Sequence, residues 1–60
     1  MLGKFKLWKD AKGEWRFNLL ASNGEVIAVS EGYTTKSAAK KGINSVRLNA
    51  PFASVIETEE

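Results

Sequence analysis

The sixty residues predict an α+β fold in the order β-β-β-α-β, and three features of the chain carry that prediction. Two alternating segments, Lys4–Lys9 and Glu14–Ala21, flank the turn-forming string Asp10-Ala11-Lys12-Gly13. Asn23-Gly24, a strong short hairpin signal, leads into a third apolar segment from Val26 to Glu31. An alanine- and lysine-rich stretch follows, opened by Thr34-Thr35 and closed by Asn49-Ala50-Pro51.

In the first segment Phe5 and Leu7 alternate with Lys4, Lys6 and Trp8. Asp10 leads the first turn and Gly13 ends it, as a type I turn prefers. With Gly13 in the left-handed position of a three-residue loop, Asp10 pairs with Glu14, Leu7 faces Phe17 and Phe5 faces Leu19. A four-residue loop would set Leu7 opposite Arg16 and mix apolar with charged positions. The coherent register is therefore expected, since a one-residue slip moves every side chain to the other face. A two-residue loop at Asn23-Gly24 would pair Ala21 with Val26 and Leu19 with Ala28. The three strands then form a meander with Phe5, Leu7, Trp15, Phe17, Leu19, Ala21, Val26 and Ala28 on one face.

Thr34 or Thr35 offers an N-cap hydroxyl, and Lys36–Leu48 reads as a helix. At 100° per residue, Ala38, Ala39, Gly42, Ile43 and Val46 share an arc suited to docking on the sheet. Gly42 costs about 1 kcal/mol relative to alanine in a helix interior. Its place on that arc points to close approach against bulky strand residues such as Trp15 and Phe17. Pro51 disfavours a helical residue before it and ends the helix. Ala53–Thr58 then reads as a short final strand, with a frayed acidic end. Leu48 is expected to pack on Phe52 at the end of the helix.

The opposite sheet face is not cleanly polar. Leu20, Ile27, Val29 and Trp8 fall there among Lys4, Lys6, Arg16 and Asn18, with Leu20 beside Ile27 as a contiguous patch. One helix covers one face, and a chain this short commonly needs disulfides, a metal or a partner subunit. Cysteine and histidine are both absent, which removes disulfides, thiolate and imidazole ligation, and imidazole acid–base chemistry. A second subunit is the economical expectation. Its interface would take Trp8, Leu20, Ile27 and Val29, together with Val55 and Ile56 of the final strand.

The strings Gly3-Lys4-Phe5, Ala21-Ser22-Asn23-Gly24-Glu25, Ser30-Glu31-Gly32-Tyr33-Thr34, Gly42-Ile43-Asn44-Ser45-Val46 and Asn49-Ala50-Pro51 together resemble the YegP-like family of small bacterial proteins. The resemblance runs from Gly3 to about Glu57, within one domain spanning residues 1–60. Phe52 departs from it, standing where a polar residue is expected. It implies a homodimer in which the C-terminal strands are exchanged to complete each sheet, because family members are tandem repeats or dimerising single units. It implies no catalytic residues.

The chemistry on offer points the same way. Ser30 has no identifiable base beside it, and Gly32-Tyr33-Thr34-Thr35-Lys36 lacks the spacing of a phosphate loop. No enzymatic activity, cofactor or metal is expected. Charge supports nucleic acid as an alternative partner: up to Ile56 there are nine basic and four acidic residues. Lys36, Lys40 and Arg47 form a stripe on the helix, with Lys41 nearby, and Trp8 could stack on a base or on Arg16. Lys36 in the first helical turn opposes the macrodipole, which leaves room for another interaction that favours it. A lysine-rich helix face is also routine in solvated helices. A further class is recruitment of a protein by strand addition at the open edge. No run approaches the ~20 apolar residues of a membrane span, and the N-terminus lacks a signal-peptide layout. A soluble cytoplasmic protein is expected, acting as a non-enzymatic binding or assembly module.

Overall fold

The computed structural model describes residues 2–59. Three strands, β1 (Lys4–Lys9), β2 (Trp15–Leu20) and β3 (Val26–Val29), form an antiparallel sheet of order β1-β2-β3. Helix α1 (Lys36–Asn49) crosses one face and runs into a 3₁₀ turn at Ala50–Phe52. The α+β class and the meander are as expected, and the helix extends one residue beyond Leu48.

The first hairpin has the expected register, with Leu7 opposite Phe17 and Phe5 opposite Leu19. Asp10 N–H donates to the Glu14 carbonyl at 2.7 Å, and Gly13 takes φ +85°. Only glycine reaches that left-handed conformation without cost. The Asp10 carboxylate locks the loop by accepting from the Lys12 and Glu14 amides, each at 2.9 Å.

The second hairpin corrects the expected two-residue loop. Ala21 N–H donates to the Glu25 carbonyl at 2.8 Å, Gly24 N–H to the Ala21 carbonyl at 2.9 Å, and Gly24 has φ +91°. This three-residue loop repeats the geometry of the first. It pairs Leu20 with Val26, not Ala21 with Val26, and would next set Leu19 against Ile27. A register shift between Leu19 and Leu20 leaves Ile27 unpaired and restores Leu19 to Ala28. The bulge thus repairs the facing that the turn would otherwise invert. Leu20 lies across from Val26, so the expected Leu20–Ile27 pair is not the lateral contact.

Past β3 the chain stays beside β2. Trp15 and Tyr33 exchange backbone hydrogen bonds at 2.7 and 2.8 Å. Between them the Ser30 hydroxyl accepts from the Phe17 amide at 2.9 Å and donates to the Glu31 carbonyl at 2.8 Å. A side chain here replaces a ladder carbonyl while the backbone bends toward the helix. Thr35 then caps α1, its hydroxyl accepting from Ala38 N–H at 3.0 Å.

The core is small and centred on Phe17. Its ring meets Phe5 edge-on, with centroids 5.9 Å apart, and stacks with Tyr33 at 6.1 Å. Phe17 and Ala39 are the buried apolar residues, and Ala38, Gly42, Ile43 and Val46 are half-buried around them. The docking arc is the expected one. A Cβ on Gly42 would lie 2.5 Å from Tyr33 Oη and 3.2 Å from Phe17 Cε2. The close approach is therefore to Phe17 and Tyr33, not to Trp15.

Because α1 lies over β2, every residue of β3 is exposed. The C-terminal segment also differs from expectation, since no strand forms over residues 53–59 and all of them are exposed. Leu48 and Phe52 are 72% and 95% exposed, so the expected contact between them is not made.

Candidate functional site: an uncovered apolar surface and a basic helix

Two surfaces stand out. The first is apolar. Ile27 and Val29 are 63% and 72% exposed, and Val55 and Ile56 reach 96% and 81%. Trp8 and Leu20 are half-buried. To these interface candidates the structure adds Val26, Leu48 and Phe52, all exposed. The three-residue second turn, which sets Val26 across from Leu20, and the uncovered β3 are what leave Val26 outside, and periodicity alone could not report either. Within the outer face Asn18, opposite Lys6 and Val29, has an Oδ1 shielded from solvent that accepts no hydrogen bond among the described residues.

The second surface is cationic. Lys36, Lys40 and Lys41 line one shallow basin of about 560 Å³ with Ser37 and Asn44. Arg47 is not part of it. It joins Lys40, Asn44, Ile43, Phe5 and Leu7 around a neighbouring groove of about 420 Å³. Helix α1 carries no acidic residue, and among the described residues none of its cations makes an ion pair. Lys36 Nζ lies 5.5 Å from the centre of the Trp15 ring, and Arg47 lies 5.6 Å from that of Phe5. The contact with Trp15 accounts for a lysine in the first turn despite the macrodipole.

The remaining polar groups are tied into the fold. Arg16 Nε donates to Asp10 Oδ2 at 2.7 Å, and its Nη1 to the Ser30 carbonyl at 3.3 Å. Arg16 is thus occupied, and Lys6, not Arg16, approaches the Trp8 ring, 5.9 Å from its centre. The Arg16 hydrogen bond, with the Glu14 amide second, holds the Asp10 carboxyl below its ordinary range. Ser30 is engaged on both sides by the backbone, which leaves its hydroxyl a structural part of the β2–β3 junction. Among the described residues no group of three or more acidic side chains could hold a metal ion. No helix among them is long and apolar enough to cross a membrane.

A family model described as a domain of unknown function, DUF1508, matches residues 10–57. The chain belongs to the DUF1508 family. A UPF0339 protein of Treponema denticola is 54% identical over 95% of this chain and 98% of its own length. One from Methanosarcina acetivorans is 47% identical over 97% of this chain and all of its own. The UPF0339 protein YegP of Escherichia coli is 53% identical over 85% of this chain, but the match spans only 46% of that protein. Solution structures agree with the fold. A protein from Haloferax volcanii superposes with TM-score 0.83 at 44% identity, covering 93% of this chain and 95% of that one. The YegP-like resemblance is thereby established, and its expected restriction to bacteria is corrected, since relatives occur in archaea as well. The family description assigns no activity.

Proposed function

We propose that this DUF1508 chain works as a homodimeric, non-enzymatic binding or assembly module whose C-terminal segments are exchanged between protomers. The observation that carries the reading is surface area. The single chain exposes 5166 Å², whereas a folded monomer of its mass exposes about 3,900 Å². The excess, about 1,300 Å², exceeds the ~800 Å² that each partner gives to a standard interface. The exposed surface includes apolar residues that a second protomer would cover, namely Ile27, Val29, Val55 and Ile56 with half-buried Trp8 and Leu20. Relatives about twice as long as this chain fit the same plan as a covalently joined pair. Light scattering tests it. The wild type should be a dimer, and Ile27→Lys or Leu20→Lys should give monomeric or unfolded protein. Wild-type mass and stability in both variants would overturn the interface.

A second reading is favoured by the basin of Lys36, Lys40 and Lys41. Three cations on a helix without acidic residues suit a phosphate backbone, whose binding weakens steeply with salt. Titration of labelled single- and double-stranded oligonucleotides at about 50 and 200 mM salt tests this. Binding lost on Lys36→Glu with Lys40→Glu, in a protein that keeps its fold and mass, would establish it. No binding at low salt would leave the basin a solvated helix face.

A further inference from the structure

We propose that Asn23 is a modification site, deamidated through a cyclic imide formed with Gly24, and that the folded β2–β3 turn holds this reaction in check. Water is the co-reactant and ammonia the group that leaves. The site stands apart from the basic helix and needs no second protomer.

Of the four asparagines, Asn18, Asn23, Asn44 and Asn49, Asn23 alone precedes a glycine. The attacking atom is the backbone nitrogen of the following residue, and a side chain there crowds its approach to the carboxamide carbon. Gly24 has none, and a Cβ built on it would meet nothing within 4 Å. Asn23 and Gly24 are both exposed, so hydroxide and water reach them. Hydroxide removes the Gly24 amide proton, and the nitrogen bonds to Asn23 Cγ. The Cγ–Nδ2 bond breaks, and Nδ2 takes a proton from water and leaves as ammonia. Water then opens the imide at either carbonyl. Cleavage of the new N–Cγ bond gives aspartate. Cleavage between that nitrogen and the Asn23 carbonyl carbon gives isoaspartate, whose main chain runs through Cβ and Cγ and is longer by a single carbon.

The fold opposes the first step at both reacting groups. Gly24 N–H donates to the Ala21 carbonyl at 2.9 Å, which retains the proton that has to be lost. Asn23 Oδ1 accepts from the Glu25 amide at 3.0 Å, which fixes the carboxamide. Reaction therefore proceeds from molecules in which the hairpin has opened, and a hairpin whose β3 is wholly exposed opens more readily than the core. The turn itself does not require an asparagine. The first hairpin closes the same loop, with Gly13 N–H on the Asp10 carbonyl and Asp10 N–H on the Glu14 carbonyl, and it carries Lys12 where the second carries Asn23. Isoaspartate puts an extra carbon inside the loop that these bonds close. It displaces β3, whose facing already depends on the bulge at Ile27. A transient opening is thereby made permanent.

The full chain is incubated at mildly alkaline pH, folded in buffer and unfolded in guanidinium chloride, and each asparagine is followed by peptide mapping that resolves isoaspartate. In denaturant Asn23 should convert faster than Asn18, Asn44 and Asn49 and give isoaspartate and aspartate together. In the folded chain Asn23 should convert at least about tenfold more slowly, in proportion to the fraction opened. Equal rates in the two states, or a faster folded rate, would overturn protection by the turn. Similar rates at all the asparagines in denaturant, or aspartate without isoaspartate, would overturn the imide site. Asn23→Lys, which copies Lys12 of the first loop, should fold as the wild type does and lose the reaction at this position. The isoaspartyl chain, separated by chromatography, should lose hydrogen-exchange protection across β2 and β3, whereas Asn23→Asp should keep it. Protection retained in the isoaspartyl chain would refute the displacement of β3.

Discussion

Gly42→Ala sets two effects of opposite sign against each other. In a helix interior alanine is favoured over glycine by about 1 kcal/mol, so propensity alone predicts stabilisation. The structure predicts the reverse. The added methyl carbon would lie 2.5 Å from Tyr33 Oη, 2.9 Å from Tyr33 Cζ and 3.2 Å from Phe17 Cε2. The rings pack on one another: Tyr33, its backbone anchored by paired bonds to Trp15, stacks on Phe17, and Phe17 in turn meets Phe5 edge-on. Overpacking of this kind costs about 1–3 kcal/mol. Taking the upper part of that range, because two rigid rings are met at once, leaves a net loss of about 1–2 kcal/mol. For a domain this small each kcal/mol shifts Tm by roughly 4–8 °C, so Tm should fall by about 5–15 °C. Thermal unfolding by circular dichroism, at one fixed protein concentration because association shifts Tm, reads this directly. Combining the change with Tyr33→Phe removes the nearest atom and should make the alanine less harmful than in the wild-type background. A Tm equal to or above wild type in the single variant would refute the close-packing argument.

Ser30→Ala should destabilise the fold by about 1–3 kcal/mol, because the Phe17 amide loses its acceptor beside the core; urea unfolding at fixed m-value measures it. The depressed Asp10 carboxyl predicts a pH dependence of definite sign. Its stabilisation is fully present above the ordinary carboxylate value of about 3.9 and is lost as pH falls through the lowered folded value. The difference in midpoint between wild type and Asp10→Asn should therefore be constant from pH 7 to about 5 and shrink below about 4. A difference that does not change with pH would show that the Arg16 and turn hydrogen bonds do not depend on the carboxylate charge.

The α+β class, the first hairpin, the helix and its buried arc are legible in the residues alone. Each of these follows from local chemistry. Gly13 accepts a left-handed φ, alternation places Phe5 and Leu7 opposite Leu19 and Phe17, Thr34-Thr35 offers a cap hydroxyl that the structure takes from Thr35, and Ala38, Ala39, Gly42, Ile43 and Val46 recur at helical spacing. Asn23-Gly24 shows where such reading fails. The dipeptide suits a two-residue loop, yet Gly24 takes the left-handed position of a three-residue loop, the Asn23 carboxamide oxygen accepts from the Glu25 amide, and a bulge at Ile27 returns Leu19 to Ala28. Ser30, read as an isolated hydroxyl, became a backbone surrogate only once the chain past β3 stayed beside β2 as far as the Trp15–Tyr33 bridge. The interface candidates were legible as apolar residues, but their exposure depends on where α1 comes to rest. The helix docks over β2 and leaves β3 and the C-terminal segment uncovered. The physical reason is reach: turn and helix preferences act over a few neighbouring residues, whereas coverage of a sheet depends on how elements distant in the chain pack together.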